Sequence, residues 1–251
     1  MDLARIAVVI PAWNEADAIG AVVAEVLREG VGEVIVADGG STDGTPAAAR
    51  AAGARVIDAG RGYGRACTAG AAAANPACDV VAFMDGDGAD CADQLPRLAR
   101  PVLDGAQDFV IASRTRGARA PGSMNWHQVL AGAVAGRLIG ALYGVRYTDM
   151  CAYRVIPRAV LDGLGMAEMT YGWNIEMQMK AARARLRILE LPVPYRCRAG
   201  GQSKVAGSLR GTLRASTKIV STFARVALLP APGLVDPSLR AARAARQSRG
   251  G

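Results

Sequence analysis

Val80-Val81-Ala82-Phe83-Met84-Asp85-Gly86-Asp87-Gly88-Ala89-Asp90 decides the reading of this chain. An apolar run stops at two carboxylates one residue apart, flanked by glycines. Residues two apart on a strand point the same way, so at the strand's end Asp85 and Asp87 can converge on one point. Converging carboxylates repel unless a cation lies between them. Oxygen ligands suit Mg²⁺ or Mn²⁺, and such an ion keeps positions open for a diphosphate. The glycines let backbone approach a ligand closely. The competing reading is a polar turn after a buried strand, because Asp-Gly is a common turn pair.

Outward from this stretch, strand and helix patterns alternate. Strands are expected at Ile6–Ile10, Val34–Ala37, Arg55–Ile57, Val80–Met84 and Phe109–Ser113. Helices are expected from about Asp17 to Arg28, Thr45 to Ala52, Arg65 to Ala74 and Ala92 to Leu103. This βαβα rhythm implies a Rossmann-like, mostly parallel α/β sheet flanked by helices. Ligands of such sheets sit at the carboxyl ends of strands, where polar residues gather here. Further along, Arg146–Arg154 and Leu186–Leu191 read as strands and Trp173–Arg183 as a helix. Asn125–Tyr143 is apolar almost all round, the pattern of a buried helix, with partial membrane contact as the alternative. Lys204–Leu229 reads as a long helix with an apolar stripe (Val205, Leu209, Leu213, Val220, Phe223) beside a basic one (Arg210, Arg214, Lys218, Arg225). The expected organisation is one domain over 1–229, with a nucleotide-binding half (1–113) and an acceptor half (114–229). Residues 230–251, rich in Pro, Ala, Arg, Ser and Gly, read as a flexible tail.

Charge divides unevenly. Residues 1–110 hold 8 Lys/Arg against 16 Asp/Glu, a net of −8; residues 111–251 hold 22 against 6, a net of +16. That pattern suits a metal-bearing site beside an anion-binding surface. The five cysteines lack CxxC spacing and are odd in number, which suits reduced thiols in a cytoplasmic chain. A single His127 excludes a multi-His zinc site. No leader pattern precedes the first strand, and no apolar run reaches the ~18 residues of a membrane span.

Four local motifs, in this order and spacing, resemble family-2 glycosyltransferases with the GT-A fold. They are Ile10-Pro11-Ala12-Trp13-Asn14-Glu15, Ala37-Asp38-Gly39-Gly40-Ser41-Thr42-Asp43-Gly44-Thr45, Arg61-Gly62-Tyr63-Gly64-Arg65-Ala66 and Asp85-Gly86-Asp87. Downstream, Arg119-Ala120-Pro121-Gly122-Ser123-Met124, Tyr147-Thr148-Asp149-Met150, Tyr171-Gly172-Trp173-Asn174-Ile175-Glu176-Met177, Tyr195-Arg196-Cys197-Arg198 and Gly201-Gln202-Ser203-Lys204 look like the bacterial branch near dolichyl- and polyprenyl-phosphate hexose synthases. The resemblance implies inverting transfer of a hexose from a nucleotide diphosphate sugar (UDP or GDP), with Mg²⁺ or Mn²⁺, at the inner face of the membrane.

On that resemblance, Pro11, Trp13, Asn14, Glu15 and Asp38 shape the base and ribose pocket. Gly62 and Gly64 admit the diphosphate beside a helix N-terminus. Asp85, Gly86 and Asp87 hold the metal and the donor. Arg114, Arg119, Ser123, Arg196, Arg198, Ser203 and Lys204 form the acceptor side. A phosphate acceptor needs positioning more than a general base. A hydroxyl or amine acceptor on a soluble metabolite needs a base, for which Asp149 and Glu176 are the candidates. The basic stripe on the last helix would support peripheral contact with anionic membrane. A nucleic-acid binder would carry basic residues throughout and stacking aromatics; the acidic first half and 5% aromatic content argue against one.

Overall fold

The computed structural model describes residues 1–200 and 209–229, the side chains of 209–215 excepted. Among these residues, seven strands form one sheet in the order β3-β2-β1-β4-β6-β5-β7. β1 (Ile6–Ala12), β2 (Glu33–Asp38), β3 (Arg55–Asp58) and β4 (Val80–Phe83) are parallel neighbours. β5 (Phe109–Ser113) and β7 (Ile188–Pro192) are parallel to each other. Only β6 (Arg154–Pro157) runs against its neighbours, wedged between β4 and β5. Strands buried on both faces read as continuous apolar runs, and Ile6 through Ile10 and Val80 through Phe83 are fully or almost fully buried.

The helices cover the sheet with spaced apolar residues. α1 (Ala16–Arg28) buries Ala18, Ile19, Val22, Val23 and Val26. α2 (Thr45–Ala51) and α3 (Tyr63–Ala73) follow β2 and β3. α4 (Leu95–Leu103) buries Leu95, Leu98, Ala99 and Val102. α5 (Trp126–Tyr143) follows β5; α6 (Arg158–Leu164), which the sequence pattern did not suggest, follows β6. α7 (Trp173–Arg183) and α8 (Leu209–Ala227) complete the order. From β1 the chain adds β2 and β3 on one side and β4 on the other. The carboxyl ends of β1 and β4 therefore flank a topological switch point, the place where such sheets bind ligands. The Asp85–Asp90 stretch leaves β4 there.

Three expectations change. Residues 146–153 form a loop, and the strand begins at Arg154. Side-chain carboxylates replace ladder partners in that loop: Glu190 accepts the backbone N–H of Thr148 (3.0 Å) and Asp149 (3.1 Å). The helix after Asn125 is not buried all round. It buries Gly132, Ala135, Gly136 and Ile139, while Trp126, Leu130, Val134, Leu138 and Leu142 are exposed. Small residues are what permit this packing: a Cβ on Gly136 would meet the Tyr147 carbonyl oxygen at 1.9 Å. In α8, Val220 is exposed, and it is Thr222 and Val226 that are buried. Ser203, Lys204, the side chains of Arg210 and Arg214, and the 230–251 segment lie outside the described residues.

Candidate active site

After β4 the chain turns sharply, and its carboxylates crowd together. Asp90 accepts the Asp85 N–H at 3.1 Å, and Asp87 accepts the Ala89 N–H at 2.9 Å. Asp87 and Asp90 are 5% and 3% exposed. Burial, with Asp90 and Asp87 beside it, pushes the Asp85 carboxyl well above its usual range. Burial raises Asp90 likewise, against the Asp85 N–H that lowers it. Gly86 fits because its position faces Ile10, Ile19 and the Pro11 carbonyl, each 3.2–3.6 Å from where a Cβ would stand. The loop thus packs against the end of β1.

The segment after β7 lies along this loop. Arg196 N–H donates to Ala89 O and Ala199 N–H to Asp87 O, both at 2.9 Å. Tyr195 bridges Asp90 on one side and Arg119 on the other. Arg198 donates to the outer oxygen of Asp87 and forms an ion pair with it. Beside them is a cavity of about 170 Å³, lined among others by Ser123, Asn125, Gln128, Tyr195, Cys197 and Arg198. Two of its linings, Ser123 Oγ and Arg198 Nη1, are buried without a hydrogen-bond partner among the described residues. Arg119 is exposed, with Met124 sulfur 3.9 Å from its Nη1, and Arg196 turns outward to Glu25 on α1 at 3.2 Å. Of the described acceptor candidates, Ser123 and Arg198 line the cavity.

The donor-side loops are largely tied to each other. Asn14 adopts φ 53°, a left-handed conformation that Asn tolerates better than most residues. Its N–H donates to Ser41 Oγ (2.9 Å), and its Oδ1 accepts the Thr42 N–H (2.9 Å). Glu15 N–H donates to Thr45 Oγ1. Asp38 accepts from the N–H groups of Gly40 and Ser41 and from Ser41 Oγ, so its carboxylate builds its own turn. Arg61 stacks over Trp13, 3.5 Å from the ring centre. Gly62 and Gly64 let another part of the chain come close. Cβ atoms there would strike the Met169 carbonyl oxygen at 2.5 Å and the Glu168 carbonyl oxygen at 2.2 Å. Arg65 N–H at the start of α3 donates to Met169 O, so the chain's own 168–169 segment takes that donor.

The family description Glycosyl transferase family 2 matches residues 7–164, from the first strand through the aspartate loop to α6. The chain belongs to this family. It is 35% identical over 211 residues to an uncharacterized glycosyltransferase of Mycobacterium tuberculosis, covering 83% of this chain and 93% of the relative. It is 38% identical over 200 residues to a dolichyl-phosphate hexose transferase of Haloferax volcanii, covering 78% of this chain and 84% of the relative. A crystal structure of glucosyl-3-phosphoglycerate synthase from M. tuberculosis with Mg²⁺ and uridine diphosphate superposes with a TM-score of 0.68 and 25% identity, over 91% of this chain and 81% of that one. The sheet and its helices are those of a GT-A glycosyltransferase, as the motifs led us to expect.

In this glycosyltransferase both candidate bases are committed elsewhere. Asp149 receives the Arg114 guanidinium on both oxygens (2.8 Å each), together with the Arg114 N–H and the Met150 N–H. Burial alone would raise its carboxyl, but the Arg114 hydrogen bonds outweigh that and hold it below the usual range. Glu176 is fully buried. One oxygen accepts the N–H groups of Ala167 (3.1 Å) and Glu168 (2.7 Å); the other meets Lys180 (3.1 Å) and Arg225 (3.3 Å). Sequence reasoning passed over Asn125 and Gln128, whose polar side chains precede an apolar helix and read as a cap, and Glu190, which lies in an apolar strand pattern. Tyr195 and Cys197 were quoted only as part of a motif.

Proposed function

We propose that this enzyme transfers a hexose from a nucleotide diphosphate sugar to the phosphate of a polyprenyl phosphate. The observation that carries the reading is the cavity beside Asp87, where Ser123 Oγ and Arg198 Nη1 are buried donors with no acceptor among the described residues. Buried unpaired donors are costly, and an anionic oxygen satisfies both. The commitment of Asp149 and Glu176 to cations points the same way. A phosphate oxygen is already a nucleophile at neutral pH, so no proton need be removed. That oxygen attacks the anomeric carbon, the bond from that carbon to the diphosphate breaks, and the nucleoside diphosphate leaves with the electron pair. The likeness to a dolichyl-phosphate hexose transferase of H. volcanii supports the choice.

Asp85 and Asp87 suit Mg²⁺ or Mn²⁺, since hard carboxylate oxygens are the preferred ligands of both. The Arg198–Asp87 ion pair supports this assignment, since the carboxylate there is placed to meet positive charge. Among the described residues no three side chains form a complete metal cage, so a diphosphate would supply the remaining oxygens. When bound, the ion would offset charge on the departing diphosphate. Arg198 and Ser123 then orient the acceptor, and the segment 195–199 over the aspartate loop excludes water.

The test is a panel of UDP- and GDP-hexoses with Mg²⁺ or Mn²⁺, with and without a polyprenyl phosphate, read by mass spectrometry. The expected product is a hexosyl phosphoryl polyprenol. Transfer to a soluble hydroxyl or amine, with none to lipid phosphate, would overturn the reading.

A further inference from the structure

The exposed residues of α5 are arranged in a way that packing among the described residues does not explain. At ~100° per residue, Trp126, Leu130, Ala131, Val134, Arg137, Leu138, Ala141 and Leu142 fill an arc of about 160°. All eight are exposed, and Arg137 is the only charge among them. The opposite side, with Gly132, Ala135, Gly136 and Ile139, packs on the protein. Trp126 is 76% exposed and Leu130, Leu138 and Leu142 about half exposed, so this is a continuous apolar surface, which marks an interaction face. It begins next to the cavity, since Asn125 and Gln128 line that cavity and bracket Trp126.

Charge selects the occupant. Between Ser113 and Met150 there are five arginines (114, 116, 119, 137, 146) and one acid, Asp149, which is buried against Arg114. Arg119, Arg137 and Arg146 are exposed, as is Arg116, which has Glu190 3.9 Å away. A symmetric contact between two copies would set these cations against themselves. An anionic lipid surface matches them, accepts the apolar arc and suits a Trp at its edge. We infer that α5 docks flat on an anionic bilayer, apolar arc inward, with the cavity at its first turn held against the lipid. Among the described residues no helix is long and apolar enough to cross a membrane, so the contact is peripheral there. The inference deepens the acceptor reading above, on which the role of the docking rests. It also differs from the expectation for α8, where Arg225 is spent on Glu168 and Glu176.

The experiment uses the full chain and vesicles of phosphatidylcholine with or without phosphatidylglycerol. Wild type should co-sediment with the anionic vesicles at low salt and shift its Trp emission to the blue, a shift that Trp126→Phe should lack. Leu130→Glu with Leu138→Glu should weaken binding at least about tenfold and leave the melting temperature unchanged, as both side chains are half exposed. The same variant should still glycosylate a water-soluble short-chain prenyl phosphate but lose transfer to a long-chain one embedded in vesicles. No vesicle binding by wild type, or undiminished binding by the double variant, would overturn the inference. So would a concentration-dependent dimer that the glutamates dissolve, because the face would then belong to a second copy. Vesicle binding without glycosylation of any lipid phosphate would leave the docking standing and remove the acceptor reading.

Discussion

Asp87 sits where two demands meet: it receives Arg198 on one oxygen and its own loop's Ala89 N–H on the other. Asp87→Asn keeps the shape and removes the charge. Turnover should fall at least ~100-fold, the loss expected from one strong electrostatic stabiliser. The melting temperature should change little, because the relief of Asp85 and Asp90 from a repelling neighbour offsets the counter-charge that Arg198 loses. Steady-state assays beside thermal melts check both; full activity in the variant would remove Asp87 from the chemistry. Glu176→Gln separates the two acceptor classes. Its partners Lys180 and Arg225 would lose their counter-charge, so stability should drop by about 2 kcal/mol. Turnover of folded enzyme should change less than about threefold. General-base loss would instead cost about 100- to 10,000-fold with a near-normal melt, and that outcome would favour a hydroxyl acceptor.

Among the elements, α5 shows how a helix is placed by what it lacks. Gly136→Val would drive a side chain into the Tyr147 carbonyl and should destabilise the fold by about 1–3 kcal/mol, read from urea melts. Gly64→Ala should likewise displace the 168–169 segment from α3 and lower the melting temperature. The parallel half of the sheet was legible in the sequence because its strands are buried on both faces and read as unbroken apolar runs. The aspartate loop was legible because charge follows such a run abruptly. The loop at 146–153 was not: Tyr147 and Cys151 look like strand residues, and the carboxylate that replaces their ladder, Glu190, lies about forty positions away. α5 was misread for a related reason. Composition is apolar on both sides of the helix, and only packing tells which side meets protein. Glu176 looked like a candidate base from its place early in a helix, whereas its partners arrive from the 167–168 loop and from α8.

On the scale of the whole molecule, the buried carboxylates set how stability responds to pH and cations. Asp85 and Asp90 have raised carboxyls in the native state, so above about pH 4, the unshifted Asp value, they keep protons that the unfolded chain has released. Stability then falls as pH rises toward neutrality. Asp149 works in the opposite sense: its carboxyl is lowered, and its contribution is lost only as pH falls through and below the ordinary range. The chelated protein should therefore melt lower at pH 8 than at pH 5.5. Mg²⁺ or Mn²⁺ should raise the melting temperature more at pH 8, where fewer protons compete for the carboxylates. Scanning calorimetry across this range checks it, and an equal metal effect at both pH values would contradict the assignment of Asp85 to the metal.

The segment 195–199, laid over the aspartate loop, also orders events in time. Arg198 and Asp87 are 111 positions apart, so their contact closes a long stretch of chain and is slow to form. The β1–β2–β3–β4 layer needs only residues up to about 83 and can assemble during synthesis well before position 198 leaves the ribosome. A nascent chain would thus own the sheet edge at the switch point before it has the segment that lies over the aspartate loop. In refolding from urea, the stacking of Arg61 on Trp13, which lies within that layer, should precede the return of catalysis, leaving a lag during which this part of the sheet is native and the enzyme is silent.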